Sequence, residues 1–391
     1  MAPNRNAKIF IDGLKKHLIS HGYHQHQTDS NVYTKTTEIG FVTLLVTIDD
    51  LLVISNNQAL IKQTKQMLKS KHDTTELGPV EHILQWKITR KHNQLTINQP
   101  AYIDKILHEY GMDQSKPTKT PYDYGSTLTK QQQPGEQPLT AEHTKQYKSI
   151  VGSLRYLANC TRPDIGYITG QLGRYVSAPT HRHLKAVKRV LRYLQGTRTH
   201  GITYGPKSHQ LHTYSDSDHA SDQDTRLSTT GNLHFLNGGP RSWRSTKQNA
   251  VVLSTTEAEY IAASTAARHI QRLRAMIAEL HRHQKAPTIP STNNPTQLFI
   301  DNQSALKIAQ TIGKTRKSKY IDVRHHYIRD MKEKGVIEPK YTPTEEMKAD
   351  FLTKQLTRRN SQRPSTTAKS QLSVHRVWKN CPLHVHSTVV V

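Results

Sequence analysis

Residues 41–55, FVTLLVTIDDLLVIS, place two adjacent aspartates, Asp49 and Asp50, between two runs of strand-forming apolar residues. Adjacent carboxylates repel each other and are costly to desolvate, so they belong in a turn rather than inside a strand. The segment therefore predicts a β-hairpin with an acidic turn. Two explanations of the turn are open: it binds a metal ion, or it is a solvated turn that happens to be acidic.

The chain of 391 residues is long enough for two or three domains, each with its own core. It carries 55 Lys and Arg against 30 Asp and Glu, a formal net charge of +25 that is spread along the chain. A positive field of this size favours polyanionic partners, nucleic acid first. The alternative is a protein that is basic without such a partner.

The two cysteines, Cys160 and Cys381, lie far apart and have no partner at metal-ligand spacing, which indicates a reducing compartment. The start of the chain has no apolar core of signal-peptide length, and no run approaches 18 apolar residues. We therefore expect no membrane contact and a location in the cytosol or the nucleus. The oligomeric state is not indicated.

Hydrophobic periodicity predicts the elements of the first half. Helices are predicted at 6–22, 58–71 and 102–110, and strands at 31–35, in the hairpin, and at 84–89 and 94–98. Residues 122–140, rich in Lys, Pro, Gln, Gly and Thr, have the composition of a linker. Two helices, at 142–160 and 183–194, are predicted to follow it.

Residues 211–357 predict three strands, a long helix at 256–280, a short buried strand ending in Asp301, two helices, a strand and a last helix at 345–356. This order is typical of a mixed sheet with helices on its faces. Past residue 357 the sequence is polar and unpatterned, and we expect residues 358–391 to form a disordered tail.

Four acidic residues of this half, Asp216, Glu259, Asp301 and Asp350, are flanked by apolar or small residues rather than by charge runs. A carboxylate beside a buried strand end is costly unless a cation compensates it. Two Mg²⁺ ions would do so, and such a pair promotes phosphodiester hydrolysis. Taken singly, each acid fits an ordinary surface or capping group better than a metal ligand, and the pattern favours the metal site only when the four are taken together.

Five stretches carry a family resemblance: YSDSDHASDQDTRLSTTGNLHFLNGGPRSWRSTKQ, VVLSTTEAEYIAAS, LFIDNQSALKIA, KSKYIDVRHHYIRD and YTPTEEMKADFLTKQL. They resemble the ribonuclease H domain of copia-type LTR retrotransposon Pol polyproteins, in the family's order. The resemblance implies that Asp216, Glu259, Asp301 and Asp350 form the catalytic, metal-binding quartet. It also implies Mg²⁺ or Mn²⁺ as cofactor, and cleavage of the RNA strand of an RNA–DNA hybrid, read through its shape. Asp218 and Glu257 are expected to point elsewhere.

The resemblance continues upstream, where GFVTLLVTIDDLLVIS, INQPAYIDKILHEYGM and KPTKTP look like the C-terminal part of the family's reverse transcriptase. YKSIVGSLRYLANCTRPDIGYITGQLGRYVSAPTHRHLKAVKRVLRYLQGT is similar to its connection. The implied fold is α+β or α/β: a partial palm and thumb, then a ribonuclease H-like mixed five-stranded sheet with flanking helices. The implied order is partial reverse transcriptase at 1–121, linker at 122–140, connection helices at 141–205, ribonuclease H-like domain at 206–357, and tail.

In reverse transcriptases the paired aspartates bind Mg²⁺ with a third Asp from an earlier strand, which in this family lies upstream of the position of Met1. Thr47 also stands where family members usually have Tyr. We therefore expect Asp49 and Asp50 to be vestigial and the polymerase to be inactive. The alternatives to a surviving ribonuclease H are a catalytically dead nucleic-acid-binding remnant and a degenerate relic that does not fold stably.

Two basic segments are candidate phosphate-binding surfaces. The predicted nucleic-acid-binding residues are Lys185, Lys188, Arg189 and Arg192 on the connection helix, and Lys317, Lys319, Arg324 and His326 on and before the helix at 319–334. His326 matches a histidine of the family pattern and could assist proton transfer. In each case the alternative is a solvated helix face.

Overall fold

The computed structural model describes residues 5–47, 50–123, 127–131, 136, 138–205, 210–284, 292–310, 319–355 and 386–390. For residues 5–8, 319–325 and 386–390 it describes the backbone only. The chain forms two compact units. The first comprises residues 1–93, 271–293 and 378–391, and the second comprises 94–270 and 294–377. Among the described residues, no helix is both long and apolar enough to cross a membrane.

The first unit contains a six-stranded sheet with the order β1-β2-β3-β4-β15-β5. Its strands are β1 (His24–Gln25), β2 (Val32–Thr37), β3 (Gly40–Val46), β4 (Leu51–Ser55), β5 (Glu76–Pro79) and β15 (His386–Val390). Helices α1 (Arg5–Ser20) and α2 (Gln58–Lys69) supply Leu14, Leu18, Leu60 and Leu68 to a core with Leu44 and Val53 of the sheet. Strands β6 (His82–Ile83) and β7 (Trp86–Lys91) pair antiparallel in the same unit.

The predicted hairpin is confirmed, because β3 and β4 pair antiparallel with Val46 opposite Leu51. Thr47 closes the turn: its hydroxyl donates to the Asp50 carbonyl over 2.9 Å and accepts from the Asp50 N–H over 3.0 Å. Asp49 lies outside the described residues.

The prediction of a disordered tail is wrong for its last described part. Residues His386–Val390 form β15, which pairs antiparallel with β4 on one side and with β5 on the other. The run HSTVV ends in β-branched residues that suit a strand, and two partner strands satisfy its backbone groups. Residues 356–385 lie outside the described part of the chain.

The second unit begins with β8 (Gln94–Asn98), which pairs antiparallel with β9 (Gly201–Tyr204). Between them lie α3 (Pro100–Glu109), α4 (Ala141–Cys160), α5 (Gly166–Gly173) and α6 (His181–Gln195). Ile103, Ile106 and Leu107 of α3 share one core with α4, α5 and α6. Residues 94–121 lie in the second unit, together with α4, α5 and α6. Much of the predicted linker lies outside the described residues.

The predicted mixed five-stranded sheet is confirmed, with the order β12-β11-β10-β13-β14. Strands β10 (His212–Ser217), β11 (Thr229–Leu236) and β12 (Gly239–Lys247) are antiparallel, whereas β13 (Thr296–Ile300) and β14 (Ile337–Tyr341) run parallel to β10. The flanking helices are α7 (Thr255–Gln284), α8 (Gln303–Gln310) and α9 (Lys319–Glu333).

The predicted helix at 345–356 is wrong in its described part. Thr344–Glu346 and Asp350–Leu352 form two short 3₁₀ turns. Their first hydrogen bonds span three residues, as from Leu352 N–H to the Ala349 carbonyl. The second turn packs directly on β11.

Candidate metal centre

Two carboxylates lie where neighbouring parallel strands end. Tyr214 of β10 is opposite Phe299 of β13, and Asp216 and Asp301 each follow two residues later. Because the strands are parallel and in register, their carboxyl ends meet at one edge of the sheet. Asp216 is 3% exposed. The threonine hydroxyl of Thr344, which follows β14, donates to Asp301 Oδ2 over 3.0 Å.

The third carboxylate, Glu259, comes from the first turns of α7 and is 5% exposed. Its Oε1 accepts hydrogen bonds from the Ser217 N–H over 2.9 Å and from the Ser217 hydroxyl over 3.2 Å. Its Oε2 is buried and has no hydrogen-bond partner. A buried oxygen without a partner is costly, so this atom is suited to bind a cation.

One oxygen from each of Asp216, Glu259 and Asp301 lies within 4.8 Å of the other two. Burial first, and then the charges of Asp216 and Asp301, raise the pKa of Glu259 well above its ordinary value. Burial and then Asp216 likewise raise the pKa of Asp301. Three converging carboxylates with one unpartnered oxygen fit a hard divalent cation such as Mg²⁺ or Mn²⁺.

Asp350 lies beside this group rather than in it. Burial, followed by the charge of Asp216, raises the pKa of Asp350 to about 7. Lys354 forms an ion pair with Asp350, with 2.9 Å between Nζ and Oδ1. Burial alone would lower the pKa of Lys354, but Asp216 and Asp350 raise it above its ordinary value. The structure thus places all four predicted carboxylates in one electrostatic cluster.

Sequence reasoning missed the contact that fixes this arrangement. Thr353 donates its hydroxyl hydrogen to Asp216 Oδ2. The approach is possible because Asp216 pairs with Gly231 of β11: a Cβ at Gly231 would lie 2.6 Å from Thr353 Cγ2 and 3.0 Å from Leu352 Cβ. Glycine inside a strand is a signal for close backbone approach, and it could have identified this contact.

The expectation that Asp218 and Glu257 point elsewhere is confirmed. Asp218 holds its own loop, accepting from the Thr229 N–H over 2.7 Å and from the Ser221 hydroxyl over 2.6 Å. Glu257 stabilises the start of α7, where its Oε2 accepts from the Leu253 N–H over 3.2 Å. Asp218 thus stabilises a loop, and Glu257 stabilises the N-terminus of a helix.

The predicted phosphate-binding residues of α6 divide into two kinds. Lys185 and Lys188 are exposed. Arg189 donates to the Thr120 hydroxyl over 3.1 Å, and Arg192 donates to the Lys116 carbonyl over 2.7 Å, so both guanidinium groups hold residues 116–123. In the second segment, Lys317 and the side chains of Lys319 and Arg324 lie outside the described part, and His326 is exposed on α9.

The paired aspartates of the hairpin are described in part only. Asp50 is half-buried, and its backbone is fixed by Thr47. Within the described part of the chain, Asp216, Glu259 and Asp301 are the one group of three metal-capable side chains whose ligand atoms already lie within 4.8 Å of one another.

Residues 4–123 match the family model described as reverse transcriptase (RNA-dependent DNA polymerase). The chain is 36% identical to the retrovirus-related Pol polyprotein from transposon TNT 1-94 of Nicotiana tabacum, over 86% of this chain and 25% of the relative. It is 34% identical to a transposon Ty5-1 protein of Saccharomyces cerevisiae, over 62% of this chain and 78% of the relative. A solved foamy viral protease-reverse transcriptase in complex with double-stranded DNA matches 86% of this chain and 49% of its own, at 12% identity and a TM-score of 0.46. The chain spans about a quarter of the length of the Pol polyproteins that it matches.

Proposed function

Because this chain belongs to the Pol polyproteins of copia-type retrotransposons, we propose that residues 206–357 hydrolyse the RNA strand of RNA–DNA hybrids with Mg²⁺ or Mn²⁺. The observation that carries the proposal is the convergence of Asp216, Glu259 and Asp301 on one point, with a buried Glu259 oxygen that has no partner. In the proposal, Asp350, whose pKa burial and then the neighbouring charge of Asp216 raise, completes the quartet.

Two divalent ions, when bound, activate the attacking water and stabilise the leaving oxygen of a phosphodiester. The protein's contribution is to fix the positions of the carboxylates. Asp216 and Asp301 are fixed by the register of parallel strands, and Glu259 is oriented by the N–H and hydroxyl of Ser217. Lys354 keeps a positive charge beside Asp350, which favours the ionised carboxylate that a metal ion requires.

We propose the RNA–DNA hybrid as the partner, bound by its phosphates to basic side chains. Of the residues predicted for this role, Lys185 and Lys188 of α6 are exposed and can reach a phosphate. The guanidinium groups of Arg189 and Arg192 are instead hydrogen-bonded to other residues of the chain. Lys317, Lys319, Arg324 and His326 remain in the proposal. We propose a reducing compartment, the cytosol or the nucleus, and the use of cysteine supports the reducing compartment.

The test uses a hybrid with a labelled RNA strand, incubated with the purified chain and Mg²⁺ or Mn²⁺. We expect cleavage of the RNA strand, loss of cleavage in Asp301→Asn, and unchanged cleavage in Glu257→Gln. The second variant is a matched control, because glutamine keeps an oxygen that can accept from the Leu253 N–H. Absence of cleavage with both metals contradicts the proposal.

Two outcomes identify the alternatives. Hybrid binding that weakens with salt, without cleavage and unaffected by Asp301→Asn, indicates a nucleic-acid-binding remnant. A chain without a cooperative thermal transition indicates a relic that does not fold.

Inactivity of the polymerase stays a prediction. The prediction rests on Thr47, which occupies the position where family members usually have Tyr. Its hydroxyl is hydrogen-bonded to the backbone of Asp50. We expect no primer extension by this chain on an RNA template. Extension that is lost in Asp50→Asn contradicts the prediction.

A further inference from the structure

Three histidines of the first unit come together at the C-terminal end of α7. His24 is the first residue of β1, and His26 directly follows this two-residue strand. The ring centroid of His283 lies 5.5 Å from that of His24 and 5.5 Å from that of His26. Two imidazoles bound to one tetrahedral Zn²⁺ have ring centroids ~5 Å apart, given bonds of about 2.0 Å. The spacing is therefore that of rings around one ion.

His26 provides a buried nitrogen without a hydrogen-bond partner. The residue is 3% exposed, and its Nε2 contacts the Thr34 hydroxyl oxygen at 3.1 Å, whereas its Nδ1 is unpaired. In the tautomer in which Nε2 donates to Thr34, Nδ1 carries a lone pair. Metal-binding histidines have this arrangement, with one ring nitrogen donating to the protein and the other facing the ion.

Glu279 supplies an oxygen at the distance of a second ligand. Its Oε2 lies 3.7 Å from His26 Nδ1, which is too long for a hydrogen bond. Two donor atoms on one tetrahedral ion lie ~3.3 Å apart. Glu279 and His283 are four residues apart on α7, so they share one face of the helix. The chain thus combines a His-x-His segment that begins in β1 with Glu-x₃-His on a helix.

Hydrogen bonds fix the strand and the helix end together within this unit. Glu279 accepts from the N–H groups of Gln27 and Thr28 over 2.7 and 3.1 Å. The Thr36 hydroxyl donates to the His283 carbonyl, and Gln284 Nε2 donates to the Thr43 hydroxyl oxygen over 2.5 Å. The rings of His24 and His283 are stacked with an interplanar angle of 23°, so these two side chains would have to rotate before both could bind one ion.

We propose that His24, His26, Glu279 and His283 form a second metal site, specific for a tetrahedral transition-metal ion of the Zn²⁺ type. Three imidazoles and one carboxylate suit Zn²⁺, whereas the all-carboxylate cluster of the second unit suits Mg²⁺ or Mn²⁺. Burial lowers the pKa of His26 and of His283, which favours the neutral rings that bind metals. The ion would tie the end of α7 to β1.

The test is a Co²⁺ titration of the full chain, followed by displacement with Zn²⁺. Tetrahedral Co²⁺ absorbs visible light far more strongly than octahedral Co²⁺, so this signal separates the histidine site from the carboxylate cluster. We expect one equivalent of tetrahedral Co²⁺, displaced by one equivalent of Zn²⁺. His24→Ala and His283→Ala should each weaken binding by about tenfold or more.

The chain has 24 histidines, so a matched control variant is needed to assign the Co²⁺ signal to the proposed site. His281→Ala removes an exposed histidine two residues from His283 on the same helix, and it should leave the titration unchanged. His24 is also exposed, so its substitution does not disturb a core. A wild-type chain without the tetrahedral signal, or variants of His24 and His283 that keep it, would overturn the proposal. Hybrid cleavage is measured separately and does not affect this outcome.

Discussion

Thr353, in the turn that follows β14, donates its hydroxyl hydrogen to Asp216 in the middle strand of the five-stranded sheet. Thr353 is fully buried, so a variant without the hydroxyl leaves a buried carboxylate oxygen with one fewer donor. We expect Thr353→Val to lower the free energy of unfolding by about 1–3 kcal/mol and to reduce hybrid cleavage. Urea unfolding and the cleavage assay measure the two effects. Thr353→Ser, which keeps the hydroxyl, should retain most of both, and equal losses in the two variants would refute the role of this hydrogen bond.

Gly231 of β11 also permits the contact between Thr353 and Asp216, because it has no side chain. A methyl group there would lie 2.6 Å from Thr353 Cγ2 and 3.1 Å from the Ala349 carbonyl oxygen, so Gly231→Ala displaces the turn that carries Asp350. We expect a loss of about 1–3 kcal/mol in the free energy of unfolding, together with weaker hybrid cleavage. Gly152→Ala is the control, because a Cβ at that position in α4 meets no atom within 4 Å. It should stabilise the protein by about 0.5–1 kcal/mol.

The carboxylate cluster predicts a pH dependence of stability in the absence of metal. Burial and Asp216 raise the pKa of Asp350 from 3.8 to about 7, so the folded state holds a proton that the unfolded state has released. The stabilisation is complete below pH 3.8 and is lost as the pH rises to about 7. At about 1.4 kcal/mol per pKa unit, the loss is on the order of a few kcal/mol.

Chelator-treated protein unfolded in urea at pH 5 and pH 8 tests this sign. Other groups also titrate, so the informative quantity is the difference between the wild type and Asp350→Asn. The variant should be the more stable of the two at pH 8 without metal, and Mg²⁺ should reverse the order. A variant that is equally destabilised at both pH values would disprove the prediction.

An ion pair between buried Arg162 and partly exposed Asp164 links the residues after α4 to those after α6. Arg162 is 1% exposed; it donates to both carboxylate oxygens of Asp164, and also to the Thr197 carbonyl over 2.9 Å. Tyr193 donates to Asp164 over 2.8 Å. Arg162→Met should destabilise the protein by about 3–5 kcal/mol, because it leaves the Asp164 charge without its partner.

The double variant Arg162→Met with Asp164→Leu separates the cost of an unpaired charge from the loss of packing. It should recover a large part of the stability in a chemical denaturation experiment, since no charge is then left unpaired. A double variant less stable than Arg162→Met alone would contradict this explanation.

The pairing of β15 with β4 and β5 predicts a structural role for the end of the chain. Removal of residues 386–391 leaves facing edges of both strands without backbone partners, so amides of Leu51–Ser55 should exchange faster by about tenfold or more. Hydrogen exchange measured by mass spectrometry reports the effect. A chain that lacks only residue 391 is the control, and exchange that is unchanged in the longer deletion would show that β15 contributes nothing.

Local patterns of the sequence determined most of the elements. The period-2 and apolar runs of 41–55 determined the hairpin, and the spacing of apolar residues determined α2, α4 and α6 close to their observed bounds. The order of strands and helices in 211–341 predicted the mixed sheet. These features depend on neighbours within a few residues, which is why a linear pattern suffices. The four acidic residues were identified by their motifs, through resemblance rather than physical derivation.

Tertiary structure decided what depends on residues far apart in the chain. The parallel register of β10 and β13 sets the distance between Asp216 and Asp301, and the absence of a side chain at Gly231 lets the 3₁₀ turn of the segment expected to be helical pack on β11. The meeting of His24 and His26 with His283 spans more than 250 residues, and β15 pairs with strands over 300 residues away. Sequence periodicity carries no information about such contacts, because they depend on how separate elements pack in space.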